Sequence, residues 1–340
     1  MSAATLITAP QRAEPAYRGF EVQVLRARRL SPSFLRMTFT GPDLCDFGTT
    51  GLDQRIKLVL PAACGARVDV GMFVADDWFT AWRSKPDHER ESLRTYTVRA
   101  VRPEQCEVDV DVVLHGVAPG EVTTRGCGLA RVLGCSCTAD VGPAVRWCAA
   151  ARPGDPLVLI GPNARHDGPP TGIEWRPPAD ATTLLLAGDE TAVPAICSIL
   201  ESLPAGTQAQ AFLEVPTEHD ELDLRLAAGV EVRWLPRAHE GSTAAHGSLL
   251  DRAVREAAEL LVTERLAARR AGSEPEDVDL DHGTLWEVPL EARAPDGVYA
   301  WIAGEAGVVK SLRRFLVRDI GVDRTAVAFM GYWRVGRAEG

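Results

Sequence analysis

Arg94-Thr95-Tyr96-Thr97-Val98-Arg99 places a guanidinium, an aromatic ring and two hydroxyls in one extended segment. In a strand alternate side chains share a face, so Arg94, Tyr96 and Val98 are expected to point one way and Thr95, Thr97 and Arg99 the other. A flavin dinucleotide asks for such a strip: a guanidinium fork for its pyrophosphate, an aromatic plane for its ring system and a hydrogen-bond donor for its N5 edge. The same hexapeptide also suits a barrel strand with one exposed Arg and one half-buried Tyr. The surrounding segments decide between the two.

Residues 20–162 read as short strands divided by turn residues, clearest at 21–25, 35–40, 56–60, 95–100, 107–114 and 157–160. Glu107-Val108-Asp109-Val110-Asp111-Val112 alternates strictly, which predicts one wet and one dry face. Strands at this spacing predict a small antiparallel β-barrel over 17–162, after a flexible N-terminus at 1–16. The rhythm then changes. Residues 163–179 are rich in Pro and Gly and read as a linker. Thr182-Thr183-Leu184-Leu185-Leu186-Ala187-Gly188 is a continuous apolar run ending in Gly, as in a strand buried on both faces of a parallel sheet. A helix is expected from about Ala192, with Pro194 in its first turn. Further strands at 209–215, 230–235, 298–304 and 326–330 and helices at 249–271 and 307–320 complete a Rossmann-like α/β domain over 180–337, whose ligands are expected at the carboxyl ends of the strands. Residues 272–294 read as an insertion in that domain, and 117–141 as one in the barrel.

The chain has 340 residues, enough for two domains, with 46% apolar and 25% charged residues, as in an ordinary soluble protein. Its formal net charge of -10 argues against a general nucleic-acid or anionic-membrane surface. No secretory leader and no run of eighteen apolar residues is visible, so a cytoplasmic protein without membrane insertion is expected. Eight scattered cysteines suit reduced thiols. Cys127, Cys135 and Cys137 cluster, but at a spacing that matches neither paired zinc knuckles nor a plant-type iron–sulfur run, so no metal site is expected.

Three blocks in fixed order carry a resemblance: the hexapeptide at 94–99; Gly188-Asp189-Glu190-Thr191-Ala192-Val193-Pro194-Ala195-Ile196; and Ala303-Gly304-Glu305 with Gly331-Tyr332-Trp333-Arg334. Together they resemble the siderophore-interacting proteins, FAD-dependent ferric-siderophore reductases of the ferredoxin-reductase-like superfamily. The resemblance implies an N-terminal FAD-binding barrel and a C-terminal nicotinamide-binding α/β domain. Two departures stand out. Leu114-His115-Gly116 is separated from Gly142-Pro143-Ala144-Val145-Arg146-Trp147 by the cysteine-bearing insertion, and Val145 stands where the family has a hydroxyl.

Carried over residue by residue, the resemblance implies that Arg94 grips the FAD pyrophosphate, that Tyr96 stacks on the isoalloxazine and that Thr97 bonds near N5, the last two at the catalytic position. Arg99 is expected either at a phosphate or in an ion pair. His115, Gly142, Ala144 and Trp147 join the flavin-binding set. Gly188, Asp189, Glu190 and Thr191, with Gly304 and Glu305, are the candidates for holding NADH or NADPH; Thr191 is expected to accept an N–H of the following helix. The bland alternative is an ordinary strand–turn–helix corner. Tyr332 and Trp333 are expected to cover the flavin or nicotinamide, or to pack as a seal on the sheet. Lys57, Lys310, Arg313, Arg314 and Arg334 are the cations available to an anionic ferric siderophore. Glu214, at the end of the second strand, points to a ribose diol and NADH, with Arg233 and Arg237 as a counterweight toward NADPH. An external ferredoxin is the third electron source such proteins allow. The expected reaction passes electrons from the nicotinamide through FAD to chelated Fe(III), releasing Fe(II) for iron assimilation. A general flavin oxidoreductase with another acceptor and a non-catalytic iron-chelate carrier are the rival readings.

Overall fold

The computed structural model describes residues 14–48, 50–62, 68–75, 77–114, 142–265 and 285–336. His115, the 117–141 insertion with Cys127, Cys135 and Cys137, and residues 272–284 lie outside them.

The N-terminal half builds β1 (Tyr17–Arg29), β2 (Phe34–Thr40), β3 (Arg55–Leu60), short helices α1 (Val70–Val74) and α2 (Trp78–Ser84), β4 (Ser92–Arg102), β5 (Glu107–Val113), α3 (Pro143–Ala150) and β6 (Pro156–Pro162). The six strands close in the order β1-β2-β5-β4-β3-β6, every pairing antiparallel, so no hydrogen-bonding edge is left open. Inward residues such as Phe20, Met37, Phe39, Leu58, Val110 and Leu159 fill the interior, and α3 adds Ala144, Val145 and Cys148 to the same core.

The polar face of β5 departs from its expected wetness. Asp109 and Asp111 are 5% and 1% exposed. Arg102 donates two bonds to Asp109, at 2.8 and 2.7 Å, and Arg36 donates two to Asp111, at 2.7 and 2.8 Å. Burial alone would raise the Asp109 carboxyl, but Arg102 and the Thr38 hydroxyl outweigh it and hold the group below the usual carboxylate range. Alternation reported the polarity of this face, and cross-strand arginines decided its burial.

The C-terminal half builds β7 (Thr183–Gly188), α4 (Val193–Ser202), β8 (Ala209–Thr217), β9 (Val230–His239), β10 (Ser242–Thr243), α5 (Ser248–Arg265), β11 (Trp286–Glu287), β12 (Val298–Glu305), α6 (Ala306–Arg314) with a π-helical turn at Phe315–Ile320, and β13 (Val327–Trp333). The sheet runs β10-β9-β8-β7-β12-β13-β11. Its five central strands are parallel, and β10 and β11 pair antiparallel at the edges, so the sheet is mixed. On one face α4 packs Ile196, Ile199 and Leu200 against Leu184, Leu186 and Leu213; on the other, α5 and α6 pack Val254, Val309 and Leu312 against Leu185, Ile302 and Phe329. The insertion expected at 272–294 thus ends by supplying an edge strand.

Three sets of bonds fix the two halves together. Asp220, fully buried after β8, accepts from the Ser31 hydroxyl at 2.7 Å, the Ser33 amide at 2.7 Å and the Ser33 hydroxyl at 3.0 Å. Arg99 on β4 pairs with Glu201 of α4. Asp53 accepts the amides of Glu174 and Trp175 at 3.0 and 3.2 Å, tying the Pro- and Gly-rich connection to the barrel while Ile173 and Trp175 sink into the α/β core. Burial pushes the Asp53 carboxyl up to about 6. Asp220→Ala strands those buried donors and is expected to destabilise the protein by about 2–3 kcal/mol, read as a lowered urea midpoint; an unchanged midpoint would refute the clasp.

Candidate active site between barrel and sheet

A cleft of about 270 Å³ lies between the halves. Its barrel wall comes from Arg55 of β3, the run Arg94 to Thr97 of β4, Asp111 and Val113 of β5, and Val145 of α3. Its other wall comes from Thr191 and Pro194 at the α4 turn, Trp286 of β11, and Gly331, Tyr332 and Trp333 at the end of β13. The register explains the barrel side: Arg55 faces Thr97, and Leu58 faces Arg94. Thr97 is buried beside the cleft, and Tyr96 packs its ring against the barrel core. Arg94 donates to its neighbour's carbonyl, Leu93 O, at 2.9 Å.

Helix α3 begins at this wall. Its N-cap is Gly142 followed by Pro143, and among the described residues no side chain caps it and no atom lies within 4 Å of the place where a Gly142 Cβ would sit. The orphan amides of a helix start favour an anion, and Arg94 stands on the same wall. Ala144 is buried beneath this turn and Trp147 packs on the barrel core, so both support the helix rather than line the cleft. Arg99 leaves the cleft altogether: Glu201 and Asp111 (3.6 Å) hold it, which is the ion-pair alternative.

On the sheet side the residues expected to hold a nucleotide instead bind one another. Asp189, 1% exposed, accepts the Thr191 amide at 2.9 Å, the Thr191 hydroxyl, the Glu305 amide at 2.8 Å and the Trp333 indole N–H at 2.8 Å. Thr191 is therefore a donor to Asp189 rather than an acceptor for α4, whose N-cap is Ala192. A Cβ on Gly188 would lie 2.5 Å from Ala192 Cβ and 2.8 Å from Ala303 O, so the missing side chain admits helix and strand, not a ligand. Gly304 has φ 144°, and a Cβ there would lie 2.7 Å from an Asp189 oxygen; the glycine is needed by Asp189. Glu190 is gripped by both Arg237 nitrogens, at 2.7 and 2.8 Å. Glu305 caps α6, accepting from Gly307 and Val308 at 2.7 and 3.0 Å. Glu214 is fully buried and accepts the Gly247, Leu249 and Leu250 amides at 2.6, 3.1 and 2.9 Å, so it caps α5 and cannot serve a ribose diol. Arg237 is spent on Glu190 and Glu214, and Arg233 lies exposed near Glu256.

The candidate substrate cations scatter. Lys57 donates to Thr95 at 3.1 Å; Arg313 is buried and bonded to Glu287 at 2.6 Å; Lys310 and Arg334 are half-buried; Arg314 is exposed on α6. None of these lines the cleft, whereas Arg55 does, paired with Glu174 at 2.8 Å and lying over the Trp286 ring at 4.6 Å. Trp286 in turn stacks on Tyr332, centroids 5.9 Å apart at 16°. Sequence reading missed both. Arg55 was recoverable, because it shares a strand face with Lys57; Trp286, inside an apparent insertion, gave no signal.

Two family models match: "Siderophore-interacting FAD-binding domain" over residues 23–166 and "Siderophore-interacting protein" over 181–336. The chain belongs to the siderophore-interacting protein family. An uncharacterized protein of Mycobacterium tuberculosis is 31% identical over 93% of this chain and 90% of its own length. The ferric vibriobactin reductase ViuB of Vibrio cholerae is 27% identical over 93% of this chain and 89% of its own. The crystal structure of the siderophore-interacting protein SipS from Aeromonas hydrophila is 28% identical, covers 95% of this chain and 94% of its own, and superposes with a TM-score of 0.58. In this siderophore-interacting protein the barrel is thus an FAD-binding domain, and Arg94, Tyr96 and Thr97 on the cleft's barrel wall are residues that could hold the cofactor.

Beside Asp189 and Glu190 stands His246, its Nε2 3.7 and 3.6 Å from their oxygens and its ring edge-on to Trp333 at 5.1 Å. Burial opposes the charged imidazole, but Glu190 and Asp189 prevail and raise its pKa. A histidine raised on folding contributes stability that is complete below about 6.5 and is lost as pH rises through the folded value. Wild-type stability, measured by urea unfolding across pH 5–9 (about the range histidine spans), is therefore expected to fall relative to His246→Gln as pH increases; parallel curves would refute the ion cluster.

Proposed function

We propose that this protein reduces Fe(III) held in a siderophore, using FAD bound in the cleft between barrel and sheet. The observation that carries the reading is the facing of two walls: Arg94, Tyr96, Thr97 and the uncapped α3 start on one side, Tyr332 and Trp333 on the other. Arg94 and the α3 amides would hold the pyrophosphate, with Tyr96 to pack against the ring system and the Thr97 hydroxyl to donate a hydrogen bond to it. Bound there, the flavin supplies exchange between a two-electron reductant and a one-electron acceptor. Tyr332 and Trp333 exclude water from the opposite side. Arg55, paired with Glu174, is a cation on the cleft wall of a chain of net charge -10, which favours an anionic ferric chelate there. No protein acid or base is needed for electron transfer to iron. Fe(II), less highly charged, is then held less tightly by hard oxygen ligands.

Holo-protein reduced stoichiometrically with dithionite and mixed anaerobically with a ferric siderophore is expected to return its oxidised flavin spectrum while a ferrous chelator traps iron. Reoxidation by other acceptors but not by ferric chelates would point to a different oxidoreductase, and chelate binding without flavin to a carrier. Arg94→Ala and Tyr96→Ala are each expected to fold normally yet lose about ten-fold or more in FAD affinity, in line with the roughly 1.5–3 kcal/mol of a charge-assisted bond; unchanged flavin titrations would overturn the assignment.

A further inference from the structure

The carboxyl ends of β7, β8 and β12 lie on one edge of the parallel sheet, where a dinucleotide-binding fold presents helix N-termini to a pyrophosphate. Here the chain's own carboxylates occupy those ends. Glu305 takes the first amides of α6, Glu214 takes those of α5, and Asp189 takes the Thr191 amide just ahead of α4, whose first turn carries Pro194 and so has one donor fewer. Asp189, Glu190, Glu214 and Glu305 are each 8% exposed or less, and Arg237 and His246 stand within hydrogen-bonding or ion-pair distance of three of them. Both cations are already committed. Neither glycine of the edge opens toward a ligand, because Gly188 is filled by Ala192 and Ala303 and Gly304 by Asp189.

We infer that this edge is closed to the pyrophosphate of a nicotinamide dinucleotide and serves instead as the frame of the flavin cleft's outer wall. An incoming pyrophosphate would find the first amides of α5 and α6 already taken and α4 one donor short at Pro194, and would bring two further negative charges onto a carboxylate cluster in a low-dielectric setting. The same groups point their remaining bonds at the wall: Asp189 holds the Trp333 indole, Glu305 accepts the Val335 amide at 3.2 Å just beyond it, and Glu214 fixes the loop that sets His246 edge-on against Trp333. The residues expected to bind NADH or NADPH therefore do not fit that role, and the reductant of this enzyme is not recognised by its dinucleotide half. The kinetic part of the test rests on the flavin reading above, while the binding part does not.

In the test, holo-protein is mixed anaerobically with NADH, NADPH or reduced nicotinamide mononucleotide, which keeps the hydride-donating ring but lacks pyrophosphate and adenosine. ADP-ribose is titrated separately by calorimetry. Flavin bleaching by dithionite in the same cuvette confirms that the cofactor is present, so a failure of the flavin reading shows itself independently. The expected result is second-order flavin reduction without saturation, with the three donors within about three-fold of one another (under 1 kcal/mol by the ten-fold-per-1.4 relation), and no ADP-ribose binding. A ten-fold or greater preference for NADH or NADPH over the mononucleotide, or saturable ADP-ribose binding that competes with them, would overturn the inference.

Discussion

A carboxylate that is 1% exposed must find every partner inside the protein, and Asp189 finds four. Burial and the adjacent Glu190 carboxylate push its pKa up, so the surrounding donors are what make the site tolerable. The four donors come from three pieces of chain: two from Thr191 in the turn after β7, one from the end of β12 and one from the end of β13. Residue 304 must then be glycine, because any side chain would strike the carboxylate. One buried acid thus brings together the three strand ends that border the cleft and fixes the indole forming part of its wall.

The two sides of the cleft treat negative charge oppositely. On the barrel side a helix start has no side-chain cap among the described residues and a guanidinium stands on the same wall, a setting in which phosphate replaces water at little cost. On the sheet side α5 and α6 each begin on an acidic residue of the chain itself, and Asp189 holds the Thr191 amide just ahead of α4. Helix dipoles are the same in both places; the difference lies in whether a carboxylate is supplied in cis. Gly142 and Glu305 occupy equivalent N-cap positions and give opposite outcomes.

Much of this architecture was legible, because strands of period two and continuous apolar strands carry their burial in their pattern. The six barrel strands and five parallel strands fall where alternation and turn residues put them. Pairings between distant residues were not legible. Asp109 and Asp111 look wet until Arg36 and Arg102 from neighbouring strands cover them, and Glu214 looks like a ribose ligand until the α5 amides arrive thirty-odd residues later. Gly188 and Gly304 were readable as positions of close approach, but what approaches is protein. Trp286 is the sharpest omission: only the antiparallel pairing of β11 on β13 carries it to the cleft.

That short edge strand also bears on how rigid the cleft is. Arg55 from the barrel, Glu174 from the connection, Trp286 from β11 and Tyr332 from β13 form one continuous stack of ion pair, cation over ring, and ring over ring. Asp220 with Ser31 and Ser33 clamps a second place, and Arg99 with Glu201 a third. Turning one half against the other would break one or more of these attachments. These attachments hold the two walls in place, and a site held in advance leaves less ordering entropy to be lost on binding.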